Sequence, residues 1–194
     1  MDQRTLIAIV VAVVAVVVIA AVFIVVSRKR RSQHLKEHFG PEYERAVLER
    51  GDPAKAETEL INREKRVHSF KIKALNPGAR DLFAQEWTAV QNRFVDDPAM
   101  AVSEADSLVN RVMAERGYPM ADFEQRAADV SVSYPTVVQN YRAARAIVLR
   151  HGRGEAGTED LRQAMVHYRS LFDELLGATT EVGASKGVIY ERAS

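Results

Sequence analysis

Residues Leu6 to Val26, LIAIVVAVVAVVVIAAVFIVV, run for 21 positions without a charged or strongly hydrogen-bonding side chain. As an α-helix the run is about 31 Å long at 1.5 Å per residue, and the hydrocarbon core of a bilayer is about 30 Å thick. Val and Ile are mediocre helix formers in water. In lipid, however, every peptide group must bond within its own segment, so a lone span has to be helical. The run predicts a single transmembrane helix. A cleaved signal peptide is the competing reading. It would have a basic start, an apolar stretch of about 7–15 residues and a small-residue cleavage site. Here the start carries only Arg4, offset by Asp2, and the run ends in VVSRKRR.

Arg28, Lys29, Arg30 and Arg31 follow the span directly. Lys/Arg bias fixes orientation. It places a short N-terminus outside and everything after Arg28 in the cytoplasm. The same four residues form a candidate membrane-surface site, either only as a stop-transfer cluster or also as a magnet for anionic lipid. Ala8, Ala12 and Ala15 share one face of the span. They read first as lipid-facing positions, with a weak transmembrane homodimer as the alternative.

Charge beyond the anchor points away from nucleic acid. Taking Arg4 and residues 28–31 from the 27 basic side chains leaves 22, and taking Asp2 from the 26 acidic ones leaves 25. Residues 32–194 thus carry about −3, without the basic stripe that phosphate binding needs. The absence of cysteine excludes thiolate catalysis, disulfides and Cys-ligated zinc.

The rest of the chain reads as a series of capped helices. Pro41, Pro53, Pro77, Pro98, Pro119 and Pro135 all suit a first helical turn, where the missing amide hydrogen has no helical partner. Asp52, Asn76 and Asp97 precede three of them as N-caps. Apolar stripes follow: Phe83, Trp87, Val90 and Phe94 after Pro77; Val102 to Met113 after Pro98, stopped by Gly117; Met120, Phe123, Ala127 and Val130 after Pro119; Val137 to Val148 after Pro135. From Glu159 to Leu176, eight apolar side chains share an arc of about 140° at 100° per residue. Thr158 is the expected N-cap of that helix and Gly177 its stop. Short connections favour antiparallel neighbours. Residues 77–176 are therefore expected to form an antiparallel five-helix bundle. Residues 1–31 would be the anchor, 32–76 a charged helical spacer with an extended FKIKAL connector, and 177–194 a disordered tail. Val188, Ile189 and Tyr190 are the one apolar triplet in that tail. The fold class is all-α.

Several motifs suggest chemistry. Gly152, Gly154 and Gly157 spell G-x-G-x-x-G, which in a dinucleotide site follows a strand and opens a helix. The preceding AIVL continues the helical spacing begun at Val137 and Tyr141, so the glycines read as a helix–helix loop. His34, Glu37 and His38 match H-x-x-E-H, an inverted zinc-peptidase motif. Its place beside the basic cluster, and Gly40-Pro41 just after it, favour a polar juxtamembrane helix. Asp96, Asp97, Glu104 and Asp106 gather acidic charge without calcium-loop spacing. His167 stands at the polar edge of the last helix, where a bond to a neighbouring helix is expected.

FVDDPAMAVSEADSLVNRVMAERGYP and TEDLRQAMVHYRSLFDELL resemble segments of an uncharacterised family of bacterial single-span membrane-anchored helical proteins, often called hypothetical or secreted. The resemblance covers roughly residues 28–176. It implies a bacterial source and transfers no site. The functional expectation is a membrane-tethered cytoplasmic helical scaffold that recruits a protein partner, without catalysis and without a cofactor. The alternatives are a zinc-dependent hydrolase using His34, Glu37 and His38, and an envelope protein facing outward.

Overall fold

The computed structural model describes the backbone of residues 3–177, and side chains from Val14 onward except Ala15. The tail, with its Val188–Tyr190 triplet, lies outside the described residues, as do Ala8, Ala12 and Ala15 as side chains. Within these limits the chain is all-α. Its helices are α1 (Gln3–Phe39), α2 (Pro41–Arg50), α3 (Pro53–His68), α4 (Pro77–Arg93), α5 (Pro98–Glu115), α6 (Phe123–Ser133), α7 (Val138–His151) and α8 (Thr158–Gly177). No strand occurs among the described residues. The chain divides into two compact units, Met1–Leu60 and Ile61–Ser194, with the boundary inside α3.

In the first unit Gly40, at φ +48°, breaks α1, and Pro41 starts α2. The turn is closed around Tyr43. Lys36 places its ammonium 5.2 Å from the Tyr43 ring centroid. The Tyr43 hydroxyl donates to Glu57 on α3 at 3.0 Å, and Arg50 pairs with Glu59. Leu35, Phe39, Tyr43, Ala46, Ala56 and Leu60 are all buried. The segment after the basic cluster therefore does more than space. Its thin apolar face, Ala56 and Leu60 four residues apart, is enough to bury one side of α3.

In the second unit one core takes side chains from α4, α5, α6, α7 and α8. Trp87 of α4 stacks on Phe172 of α8 at 4.6 Å between centroids, a geometry that contributes about 0.5–1.5 kcal/mol beyond area burial. Tyr141 of α7 and Tyr168 of α8 are fully buried and meet edge-on at 6.2 Å between centroids. The FKIKAL segment runs as extended chain against the end of α5. The Lys73 amide donates to the Arg116 carbonyl at 2.9 Å. Gly117, at φ +93°, lets the Lys71 carbonyl approach so closely that a Cβ would lie 2.6 Å from its oxygen.

Four of the six prolines open helices, and side-chain caps form before three of them. Asp52 accepts from the Lys55 amide, Asn76 from Ala79 and Asp97 from Met100, each at 2.8–2.9 Å. Pro119 and Pro135 do not open helices. After Gly117 the chain is held extended while Tyr118 enters the core, 4% exposed, and Met120 faces solvent. Asp122 then caps α6 by accepting from the Gln125 amide at 2.9 Å. Pro135 lies in a turn, and α7 begins three residues later at Val138. Thr158 is the first residue of α8, not its cap. The cap position falls on Gly157, whose amide donates to the Asp160 carboxylate at 3.0 Å. That bond is the reach-back half of a capping box.

Candidate functional site: an apolar helix with a basic collar

The feature that sets this chain apart from an ordinary helical bundle lies on α1. From Val16 to Val26 every side chain is exposed, on all sides of the helix; Ile19 is 68% exposed and Phe23 72%. Apolar side chains clustered on a water-facing surface mark contact with a protein, a ligand or a membrane. Because the side chains point in every direction, a one-sided partner would leave half of them in water. Among the described residues no helix is long and apolar enough to cross a membrane. The described part of the run, from Val14 to Val26, is shorter than the roughly 20 residues a span requires. The expected transmembrane helix over Leu6–Val26 thus rests on the sequence, and the described residues do not support it.

Arg28, Lys29, Arg30 and Arg31 begin two residues beyond Val26, after Ser27, all exposed. At 100° per residue, four consecutive side chains cover about 300° of the helix circumference within about 4.5 Å of its length. They form a collar. Packing of the first unit begins immediately after it, at Leu35, 1% exposed.

The remaining sequence candidates resolve into structural contacts. His34 and His38 stack on the exposed surface of α1 at 6.1 Å between centroids, and Glu37 lies between them in sequence, also exposed. No group of three or more His, Asp or Glu side chains able to hold a metal occurs among the described residues. The G-x-G-x-x-G glycines fill the connection from α7 to α8, and Ala146–Leu149 before them is helical. Only Gly154 of the three has a positive φ, +75°. The loop closes on itself: the His151 Nδ1 bonds the Ala156 carbonyl at 2.9 Å, and Arg150 pairs with Asp160 at 2.7 Å.

The acidic group is likewise dispersed. Asp97 caps α5, and Glu104 pairs with Arg93 at 2.9 Å. Asp106 accepts from the Tyr168 hydroxyl at 3.0 Å and from the Asn110 amide at 3.2 Å. Burial, and next the Asp106 charge, push the Tyr168 hydroxyl far above its ordinary value. The hydroxyl therefore stays a donor. His167 bonds Asn140 of α7 at 3.1 Å, and the Asn140 amide donates to Ser170 at 3.0 Å.

Four charged side chains, Glu42, Arg63, Arg116 and Asp129, are buried, and spacing alone points to none of them. Asp129, 2% exposed, accepts from the Arg66 Nε and a terminal guanidinium nitrogen at 2.8 and 2.6 Å and from Gln125 at 2.9 Å. Arg116, also 2% exposed, donates to the Tyr134 hydroxyl at 2.6 Å and the Leu175 carbonyl at 3.0 Å. Leu175 lies in the last turn of α8, where carbonyls lack helical partners and the helix dipole is negative. A buried cation there is compensated by the end of a helix. Residue types alone could not have found this pairing, because one acceptor is a main-chain carbonyl and both lie on elements distant in sequence.

Fold and site together define an all-α protein whose first helix presents a collared apolar segment ahead of a helical bundle. No protein-family model, curated protein or solved structure matches the chain.

Proposed function

We propose that this protein is a membrane-tethered helical interaction module. Leu6–Val26 inserts in the bilayer, Arg28–Arg31 lies at the cytoplasmic face, and the bundle is held close to the membrane to recruit a protein partner. The observation that carries the reading is the all-round exposure of the apolar side chains from Val16 to Val26. Only surroundings that are apolar on every side of the helix satisfy such a surface, and the acyl region of a bilayer supplies them. The collar supports the orientation. No reaction is assigned. The residues that suggested chemistry are engaged as caps, ion pairs and interhelical bonds, as at Asp97, Glu104 and His167, or lie exposed on one helix, as do His34 and His38.

Two measurements test the reading. The full chain should float with lipid vesicles and resist extraction at alkaline pH. A chain that stays with the aqueous fraction overturns the anchor. For orientation, Ser194→Cys gives a single thiol in a chain with no cysteine of its own. A membrane-impermeant maleimide should label it only after the cells are opened. Labelling of intact cells would place the bundle outside and favour the outward-facing alternative.

A further inference from the structure

We infer that the collar Arg28–Arg31 is an anionic-phospholipid site, and that it does more than fix topology. The inference rests on the anchor reading above. Its first support is an imbalance in how this chain treats its arginines. Many of the others are held by carboxylates: Arg50 by Glu59, Arg93 by Glu104, Arg111 by Glu86, Arg150 by Asp160 and Arg162 by Glu159. Among the described residues none of the four collar cations has an ion pair or a hydrogen bond, and all four are exposed. Four adjacent cations with no internal counter-charge repel one another on one short stretch of helix. An external anion relieves that repulsion.

The shape of the collar selects the anion. A protein partner presents one face, and an acidic groove could engage two of the four side chains. The collar spreads over about 300° of the helix. It begins two residues beyond the end of the apolar run, at the depth where phosphates surround an inserted helix. Arginine matches phosphate oxygens in a bidentate fork, and lysine adds a point charge. The occupant is therefore the headgroup layer of anionic phospholipid around α1. Each Lys or Arg near an anionic surface typically strengthens association about fivefold.

The test uses the full chain reconstituted in bilayers of mixed phosphatidylcholine and phosphatidylglycerol. Spin-labelled versions of the two lipids report which one is held at the protein surface. The native chain should prefer phosphatidylglycerol by about threefold or more. Raising salt from 0.1 to 1 M shortens the screening length from about 10 to about 3 Å and should remove most of that preference. The variant R28Q/K29Q/R30Q/R31Q should lose the preference, and R30Q/R31Q should fall between. Equal preference in the native chain and the fourfold variant overturns the inference, as does a native chain without preference. Flotation of the same samples separates the two proposals. Chains that float without lipid preference remove only the lipid site, and chains that do not float remove the anchor and the lipid site together.

Discussion

At the scale of single residues, glycines distinguish backbone necessity from loop filler. Gly117 has both a positive φ and a main-chain oxygen 2.6 Å from where a Cβ would sit. Gly117→Ala should cost about 2 kcal/mol or more, because strain and a clash with rigid backbone add. Gly152 is in right-handed helical conformation, and a Cβ there would meet only ordinary contacts at 3.6 and 3.7 Å. Gly152→Ala should therefore be neutral or stabilising by about 0.5 kcal/mol. Urea unfolding curves of the two variants check this. The contrast also bears on G-x-G-x-x-G: a first glycine that tolerates a side chain is not needed for the close approach of a phosphate. Arg116 supplies a second residue-scale prediction. Arg116→Met keeps the stem but strips its hydrogen bonds from Tyr134 and Leu175. It should destabilise the bundle by about 2–4 kcal/mol, with Arg116→Lys intermediate, as read from the urea midpoints.

At the scale of elements, the sequence was most legible where local chemistry and periodicity agreed. The caps at Asp52, Asn76 and Asp97 and the stripes of α5 and α8 are local facts, and they fold as spacing dictates. Helix starts at Pro119 and Pro135 failed because proline permits a first turn without requiring one. Asp122 and Gln125, spaced as N-cap and N3, were the stronger signal for α6, and the burial of Tyr118 decided the matter. The start of α8 shows the same competition: Asp160 reaches back to Gly157, and Glu159 grips Arg162 at 2.6 Å. That grip, with a further bond from Gln163, lowers the Glu159 carboxyl from its ordinary 4.5 to about 2. A carboxyl whose folded value is depressed stabilises the fold above its unfolded value. The contribution is lost as pH falls through the folded one, here between about 4.5 and 2. In an NMR pH titration Glu159 should titrate below the other exposed glutamates, and Arg162→Gln should return it toward 4.5. An unchanged midpoint in that variant would assign the depression to another source.

At the scale of the whole molecule, the chain divides its labour by where its apolar side chains go. Those of α4 to α8 turn inward to one core, whereas those of α1 from Val16 to Val26 turn outward. The candidate site is itself a reading of the sequence, because an uninterrupted apolar run beside four cations needs no tertiary context; the structure adds that the side chains from Val16 to Arg31 are exposed. The buried charges Asp129 and Arg116 were not legible, because their partners come from distant elements, Arg66 and Leu175 among them. This division predicts that the folded part does not depend on residues 1–31, the proposed anchor. Removing residues 1–31 deletes the exposed apolar segment and the collar but keeps Leu35, Phe39 and Tyr43, with which the packing of the first unit begins. The fragment should be soluble and strongly helical by far-ultraviolet circular dichroism, and it should unfold cooperatively in urea. Vesicle flotation should be lost in the same fragment, since no other helix among its described residues carries an outward apolar run. An unfolded or aggregated fragment would mean that α1 supports the fold through contacts upstream of Ser32, and the partition between tether and folded module would then be wrong.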